Sequence, residues 1–168
     1  MSVQTIENFL DKNFFKELQK VIIESDFSWF KRKSMVTNTE NNLGYFCHSF
    51  FHNNSINSKY FFIVKPILKI LNCVVIINIR ANLLLKRSEF KSNYHIDRWG
   101  FNKPKHKTAI FYVNTNNGHT LFKNNNKKIK CVENKLIIFD SKLSHKAVLQ
   151  TDKDKRIVIN FNYFDSDL

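Results

Sequence analysis

Residues 73–97 read CVVIINIRANLLLKRSEFKSNYHID, and two features of this stretch decide the fold. Val74 to Leu84 is rich in β-branched and apolar residues, broken only by Asn78, Arg80 and Asn82. It is too interrupted to cross a membrane as a helix and predicts a long strand. A Lys86-Arg87-Ser88 turn then leads into a second predicted strand, Glu89 to Asp97. On a strand alternate side chains share a face, so His95 and Asp97 point the same way and can grip one ion.

Toward the C-terminus the texture stays β. Short runs, Thr108 to Asn114, Thr120 to Lys123, Lys128 to Val132, Leu136 to Asp140, His145 to Leu149 and Arg156 to Phe164, alternate with Asn, Gly, Lys and Asp turns. The punctuation includes Asn116-Asn117-Gly118, Asn124-Asn125-Asn126 and Thr151-Asp152-Lys153-Asp154. Toward the N-terminus the period changes. Ile6, Phe9, Leu10, Phe14, Leu18, Val21 and Ile22 recur at helical spacing and predict an amphipathic helix over Thr5 to Ser25, with a break near Asp11. Phe27 to Phe30 reads as an edge element, Lys31 to Asn42 as a polar loop, and Leu43 to Phe51 as a strand. Ser58 to Leu71 reads as a second helix that Pro66 must kink or restart. The expected class is therefore α+β, mainly β: a double-stranded β-helix, or jelly roll, with N-terminal supporting helices. One domain is expected over 1–168, with helical support and an edge strand in 1–72 and the β core in 73–164.

Composition bounds the function classes. Hydrophobic residues make up 43% of the chain, with only 3 Gly and 2 Pro, which excludes a disordered or linker-like chain. The net charge of +13 points either to a polyanionic partner or to a solvated basic surface rich in Lys and Asn. Cys47, Cys73 and Cys131 form no CxxC pair, and Met1 to Phe9 has no secretory pattern, so a reduced, cytoplasmic protein is expected. Cys47-His48 with His52 lacks a second matching pair for zinc, and these read as strand residues. His106, in a basic loop, reads as solvated.

A second imidazole, His145, follows the compact Leu136 to Asp140 run. Two histidines and a carboxylate are the parts of a facial triad, which leaves the opposite coordination positions open and suits non-haem Fe(II). Arg156 begins the last strand among Ile157, Val158, Ile159 and Phe161. An arginine there is costly to bury without an anion, so it implies a buried carboxylate partner, to which Tyr112 could also offer its hydroxyl. The competing readings are an ordinary His95/Asp97 surface pair, a salt bridge from Arg156 to Asp152 or Asp154, and a core role for Tyr112.

The order of these motifs resembles the prolyl-4-hydroxylase-like branch of the Fe(II)/2-oxoglutarate dioxygenases. The matching pieces are His95-Ile96-Asp97, the strand 108–114, Asn117-Gly118-His119-Thr120-Leu121-Phe122, the run 136–140, His145, and Lys155 to Phe161. They span roughly residues 73–164. The resemblance implies Fe(II) held by His95, Asp97 and His145 as the catalytic centre. It also implies 2-oxoglutarate with its far carboxylate on Arg156, helped by Tyr112 and Thr120, and ascorbate as an accessory reductant. Asn82 is a lesser candidate for a contact in the pocket. With Asp97 present, hydroxylation is implied rather than halogenation. This chain departs from the family's Gly-Gly-x-Thr-x-Phe pattern by Asn117 in place of the first Gly, and its His145 to Arg156 interval is slightly long.

The expected substrate is a protein side chain of prolyl type or a small molecule. The loop Arg98 to Lys107, with Trp99 and Phe101 among cations, reads as a lid over substrate or as a surface on which bases stack. Nucleic-acid dealkylation is the enzymatic alternative. Against it, the related dealkylases carry a second arginine six residues beyond the first, where this chain has Asn162. A basic β-sandwich binding module with a coincidental triad is the non-catalytic alternative. No membrane partner is expected.

Overall fold

The computed structural model describes residues 2–24, 26–32, 45–86, 91–97 and 106–166. In chain order the elements are β1 (Gln4–Ile6), α1 (Lys12–Glu24), β2 (Phe30–Arg32), β3 (Tyr45–His52), β4 (Ser55–Ile56), a 3-10 turn (Lys59–Ile63) and α2 (Lys65–Ile70). Then come β5 (Cys73–Leu85), β6 (Lys107–Tyr112), β7 (His119–Phe122), β8 (Lys128–Lys130), β9 (Lys135–Asp140), β10 (His145–Val148) and β11 (Lys155–Asp165). The larger sheet has the order β1-β9-β6-β11-β5-β3-β2, with β4 paired to β3; the smaller has the order β10-β7-β8. All pairings in both sheets are antiparallel.

The architecture is the double-stranded β-helix with supporting helices. One face of the larger sheet, through Ile79, Ala81, Phe111, Ile157 and Ile159, packs on Phe15, Leu18, Ile22 and Ile67 of the helices. The other face, through Ile110, Ile137, Phe139 and Val158, closes with Phe122 and Ile129 of the smaller sheet. This division follows from strand alternation, since Phe111 and Ile159 point to one side and Ile110, Tyr112 and Val158 to the other.

The N-terminus corrects the sequence reading. Gln4–Ile6 is not helical: it pairs with Leu136 to Ile138 as an edge strand. The helix begins only after Asp11, whose side chain accepts the backbone N–H groups of Asn13 and Phe14 at 2.9 and 3.3 Å, satisfying donors that the first turn leaves free. Asn134 clasps the segment between strand and helix. Its amide accepts from Leu10 N–H at 2.9 Å and donates to Leu10 C=O at 2.8 Å. Pro66 restarts the second helix, sitting in the first turn of α2 after the 3-10 turn.

A chain with 3 glycines must make its left-handed turns otherwise. Among the described residues every non-glycine with positive φ is an asparagine: Asn8, Asn53, Asn54, Asn72, Asn126 and Asn134. Asparagine tolerates that region better than other side chains, so part of the Asn content has a use in the fold. Of the expected segments, the loop 33–42 and most of the loop 98–107 lie outside the described residues.

Candidate metal centre and cosubstrate cavity

The segment expected as a strand over Glu89 to Asp97 is, in its described part 91–97, extended but not a regular strand. It touches β10 through two isolated bridges, Lys91 to Val148 and His95 to His145, which differ in register by one residue. Ser92 explains the break: its hydroxyl, not its carbonyl, accepts the Ala147 N–H at 2.9 Å, while its own N–H reaches Ala147 C=O at 2.9 Å. Past the slip the ladder resumes. His95 and His145 exchange backbone hydrogen bonds of 3.0 and 2.9 Å, and Asp97 N–H reaches Ser141 C=O at 3.0 Å.

That pairing delivers three donors to one point. One ligand atom each from His95, Asp97 and His145 lies within 4.8 Å of the others. His95 Nε2 is 3.8 Å from Asp97 Oδ1, and His145 Nε2 is 4.0 Å from Asp97 Oδ2. Both rings are turned by the same device. His145 Nδ1 donates to Leu143 C=O at 3.0 Å, and His95 Nδ1 lies 3.4 Å from Asn93 C=O, two residues back in each case. With the proton on Nδ1, the Nε2 lone pair is free for an ion. Burial holds His145 below the ordinary imidazole pKa; Asp97 opposes that shift and His95 adds to it. A neutral imidazole is the form a metal takes.

Asp97 is fixed by Thr108, whose hydroxyl lies 3.0 Å from Asp97 Oδ2 and 2.9 Å from the Asn162 side chain. One hydroxyl proton serves one acceptor, so with the Asn162 amide flipped to place its NH2 toward Thr108, the Thr108 hydroxyl donates its hydrogen bond to the carboxylate. The position six residues beyond Arg156 therefore holds a residue tied into the support of Asp97.

Arg156 is 2% exposed. Its Nη2 donates to Thr120 Oγ1 at 3.3 Å, while Nε and Nη1 have no hydrogen-bond partner among the described residues. Neither Asp152 nor Asp154 pairs with it among the described residues. A buried guanidinium with two empty donors is costly unless an anion completes it. Tyr112 is fully buried with its hydroxyl 2.8 Å from Thr120 Oγ1. Thr120, not Tyr112, lines the cavity that also holds His95, Asp97, His145 and Arg156. Burial raises the Tyr112 pKa well above the phenol range, so it remains a donor. When it donates to Thr120, the threonine proton is released toward the cavity. Tyr112 thus meets the cavity through Thr120.

The two departures at 117 and 145–156 meet in space. Asn117 Nδ2 donates to Thr151 Oγ1 at 2.8 Å and Asn117 Oδ1 accepts from Thr151 N–H at 2.8 Å, pinning the longer turn. Gly118 keeps its place for steric reasons: a Cβ there would sit 2.8 Å from Asn116 Oδ1 and 2.9 Å from Val148 C=O.

Asn82 also lines the cavity, with its Oδ1 buried and unpartnered. Sequence reasoning missed Arg80, Asn160, Tyr45 and Lys146, which line it too. The signal for Arg80 was present in the alternation Asn78, Arg80, Asn82 along an apolar strand, but its partner across the sheet required the register of β11. His106 corrects another expectation. It is 4% exposed, its carbonyl accepts Ser141 N–H at 3.1 Å, and its ring lies against Phe164. His48 is structural, held between Ser28 C=O and Ser58 Oγ at 2.7 Å each.

No protein-family model matches the sequence, and no curated protein sequence is significantly similar to it. Solved structures do match. A viral collagen prolyl hydroxylase from Paramecium bursaria Chlorella virus-1, in its 2-oxoglutarate complex, is 16% identical with a TM-score of 0.61, over 98% of this chain and 97% of that one. A prolyl hydroxylase from Trichoplax adhaerens, bound to a hypoxia inducible factor peptide fragment, is 19% identical with a TM-score of 0.69, over 97% and 83%. An epimerase of nogalamycin biosynthesis, bound to Fe3+, alpha ketoglutarate and nogalamycin RO, is 10% identical with a TM-score of 0.69, over 98% and 79%. At these identities the likeness shows the fold, which is that of the 2-oxoglutarate and Fe(II) oxygenases, prolyl hydroxylases among them.

Proposed function

We propose that this chain is an Fe(II)- and 2-oxoglutarate-dependent oxygenase that hydroxylates a protein side chain of prolyl type or a small molecule. The observation that carries the reading is the convergence of His95, Asp97 and His145 in one cavity with a buried arginine that lacks an anion. Two imidazoles and one carboxylate form a donor set suited to Fe(II), and the empty donors of Arg156 suit the far carboxylate of 2-oxoglutarate.

When bound, iron and 2-oxoglutarate supply the oxidising chemistry, in which O2 is reduced as the cosubstrate becomes succinate and CO2 and a substrate C–H becomes C–OH. The chain's own residues hold and orient the partners. His95 and His145 present Nε2 because their Nδ1 protons are engaged by backbone, and Thr108 steadies Asp97. Arg156 and Thr120 fix the cosubstrate's far end, with Tyr112 orienting Thr120. Phe122 and Phe139 pack against His145 at ring separations of 5.9 and 4.9 Å and shield that side from water.

The neighbours support both substrate classes, since one is bound to a peptide fragment and another to nogalamycin RO. Nucleic-acid dealkylation is less well supported, because Asn162 occupies the position of its second arginine and is engaged with Thr108. Purified protein supplied with Fe(II), ascorbate and 2-oxoglutarate is expected to form succinate slowly without added substrate. His145→Ala and Asp97→Ala should abolish it, and wild type with no succinate above the metal-free blank would contradict the reading.

A further inference from the structure

The cavity carries more positive charge than the cosubstrate uses. Arg156, Arg80 and Lys146 line it, and Asp97 is the one carboxylate among the described lining residues. Iron(II) brings two positive charges and 2-oxoglutarate two negative ones, so loading the site leaves an excess of two positive charges facing whatever enters next.

Arg80 is placed to meet that molecule. In the β5/β11 ladder Arg156 lies opposite Leu84, Val158 opposite Asn82 and Asn160 opposite Arg80. Directly opposed residues share a face, so these side chains run along the same side of the sheet as the metal site. Arg156 stands at one end of the row and Arg80 at the other, four strand residues apart, roughly 13 Å. One small dicarboxylate on Arg156 leaves the Arg80 end open. Among the described residues Arg80 Nε is a buried donor without a hydrogen-bond partner, Asn82 Oδ1 and Asn160 Oδ1 are buried acceptors without one, and no carboxylate pairs with Arg80. Its guanidinium lies 6.0 Å from the Tyr45 ring, a stacking that orients it without neutralising it. Lys146 is held over the Tyr94 ring at 4.2 Å, adding positive potential at the same cavity.

Resting on the oxygenase reading, we propose that Arg80 binds a carboxylate of the substrate, so that the molecule oxidised is an organic acid or an acidic side chain of a peptide. A guanidinium is suited to this by its planar pair of donors.

The test uses full-length protein loaded with Zn(II) and saturating N-oxalylglycine, which occupies the Arg156 end, and follows probe binding by NMR. The probes are matched pairs: N-acetylglycine and its amide for a free acid, and acetyl-Gly-Asp-Gly-amide and its Asn counterpart for an acidic side chain. In at least one pair the acid should bind tenfold or more tightly than its neutral partner, and which pair does so identifies the source. Arg80→Met should bring that ratio to within twofold, Arg80→Lys should keep part of it, and N-oxalylglycine affinity should stay within threefold in both. The comparison is repeated without N-oxalylglycine in Arg156→Met protein, where the preference should persist. That arm reads Arg80 even if N-oxalylglycine fails to bind, an outcome that counts against the oxygenase reading alone. Equal binding of acid and neutral forms in both pairs, or a preference unchanged in Arg80→Met, overturns the proposal.

Discussion

His95 and His145 face one another across an antiparallel bridge, exchanging backbone hydrogen bonds of 3.0 and 2.9 Å with their rings 4.5 Å apart between centroids. The pairing joins the segment that carries the His-x-Asp triplet to the strand that carries the distant histidine. The backbone thus sets the spacing of the three donors before any ion arrives, and the metal should act as a staple across the bridge.

Metal should therefore stabilise the fold. Fe(II) or Zn(II) at a hundred times its dissociation constant is expected to add about 2.7 kcal/mol, read as a rise in melting temperature. His145→Ala should melt at the same temperature with and without metal.

Arg156→Met should separate binding from stability. Losing a charged, two-donor contact should weaken 2-oxoglutarate binding on the order of 100-fold. Without cosubstrate the same change removes an unpaired buried charge, so the protein should be more stable by about 1 kcal/mol or more. Calorimetric titration and urea melts of one preparation measure both.

Asn117→Gly restores the residue that the resembled pattern has at this position but removes both side-chain bonds to Thr151. With the turn exposed, urea melts should show a loss of about 1–2 kcal/mol. Gly118→Ala should cost about 1–3 kcal/mol, because its Cβ would press on the Val148 carbonyl.

The pH dependence follows from histidines whose charged form is disfavoured by desolvation. Burial lowers the pKa of His48 against the opposing bond to Ser28, and lowers that of His119 with help from Lys128 and Arg156. The unfolded chain then binds more protons than the native one between the depressed values and about 6.5. Stability should be fully present above about pH 6.5 and fall as the solution is acidified through that range. In His48→Leu the slope should be shallower, as thermal melts across pH can show.

Much of the fold was legible because β-branched runs with period two, bounded by Asn and Lys turns, have few other interpretations. The N-terminal strand was not, because Ile6, Phe9 and Leu10 fit a helical spacing that Asp11 and Asn134 override through side-chain hydrogen bonds. The irregularity at 91–97 depends on one hydroxyl, Ser92, competing with a carbonyl, and composition does not register that. Candidates for the site could be named from the triplet, His145 and Arg156. That Arg80 and Asn160 share their cavity depends on a register between strands about eighty residues apart in sequence, which no local pattern encodes.

Three donors and one arginine are expected to bind Fe(II) and 2-oxoglutarate together. Anaerobic titration of the wild-type protein with both, followed by visible absorption, tests it most directly. The wild-type protein should show a charge-transfer band that needs both components, saturates at one iron per chain, and is absent in Asp97→Ala. Binding of 2-oxoglutarate that is indifferent to iron, or no binding at all, would contradict it.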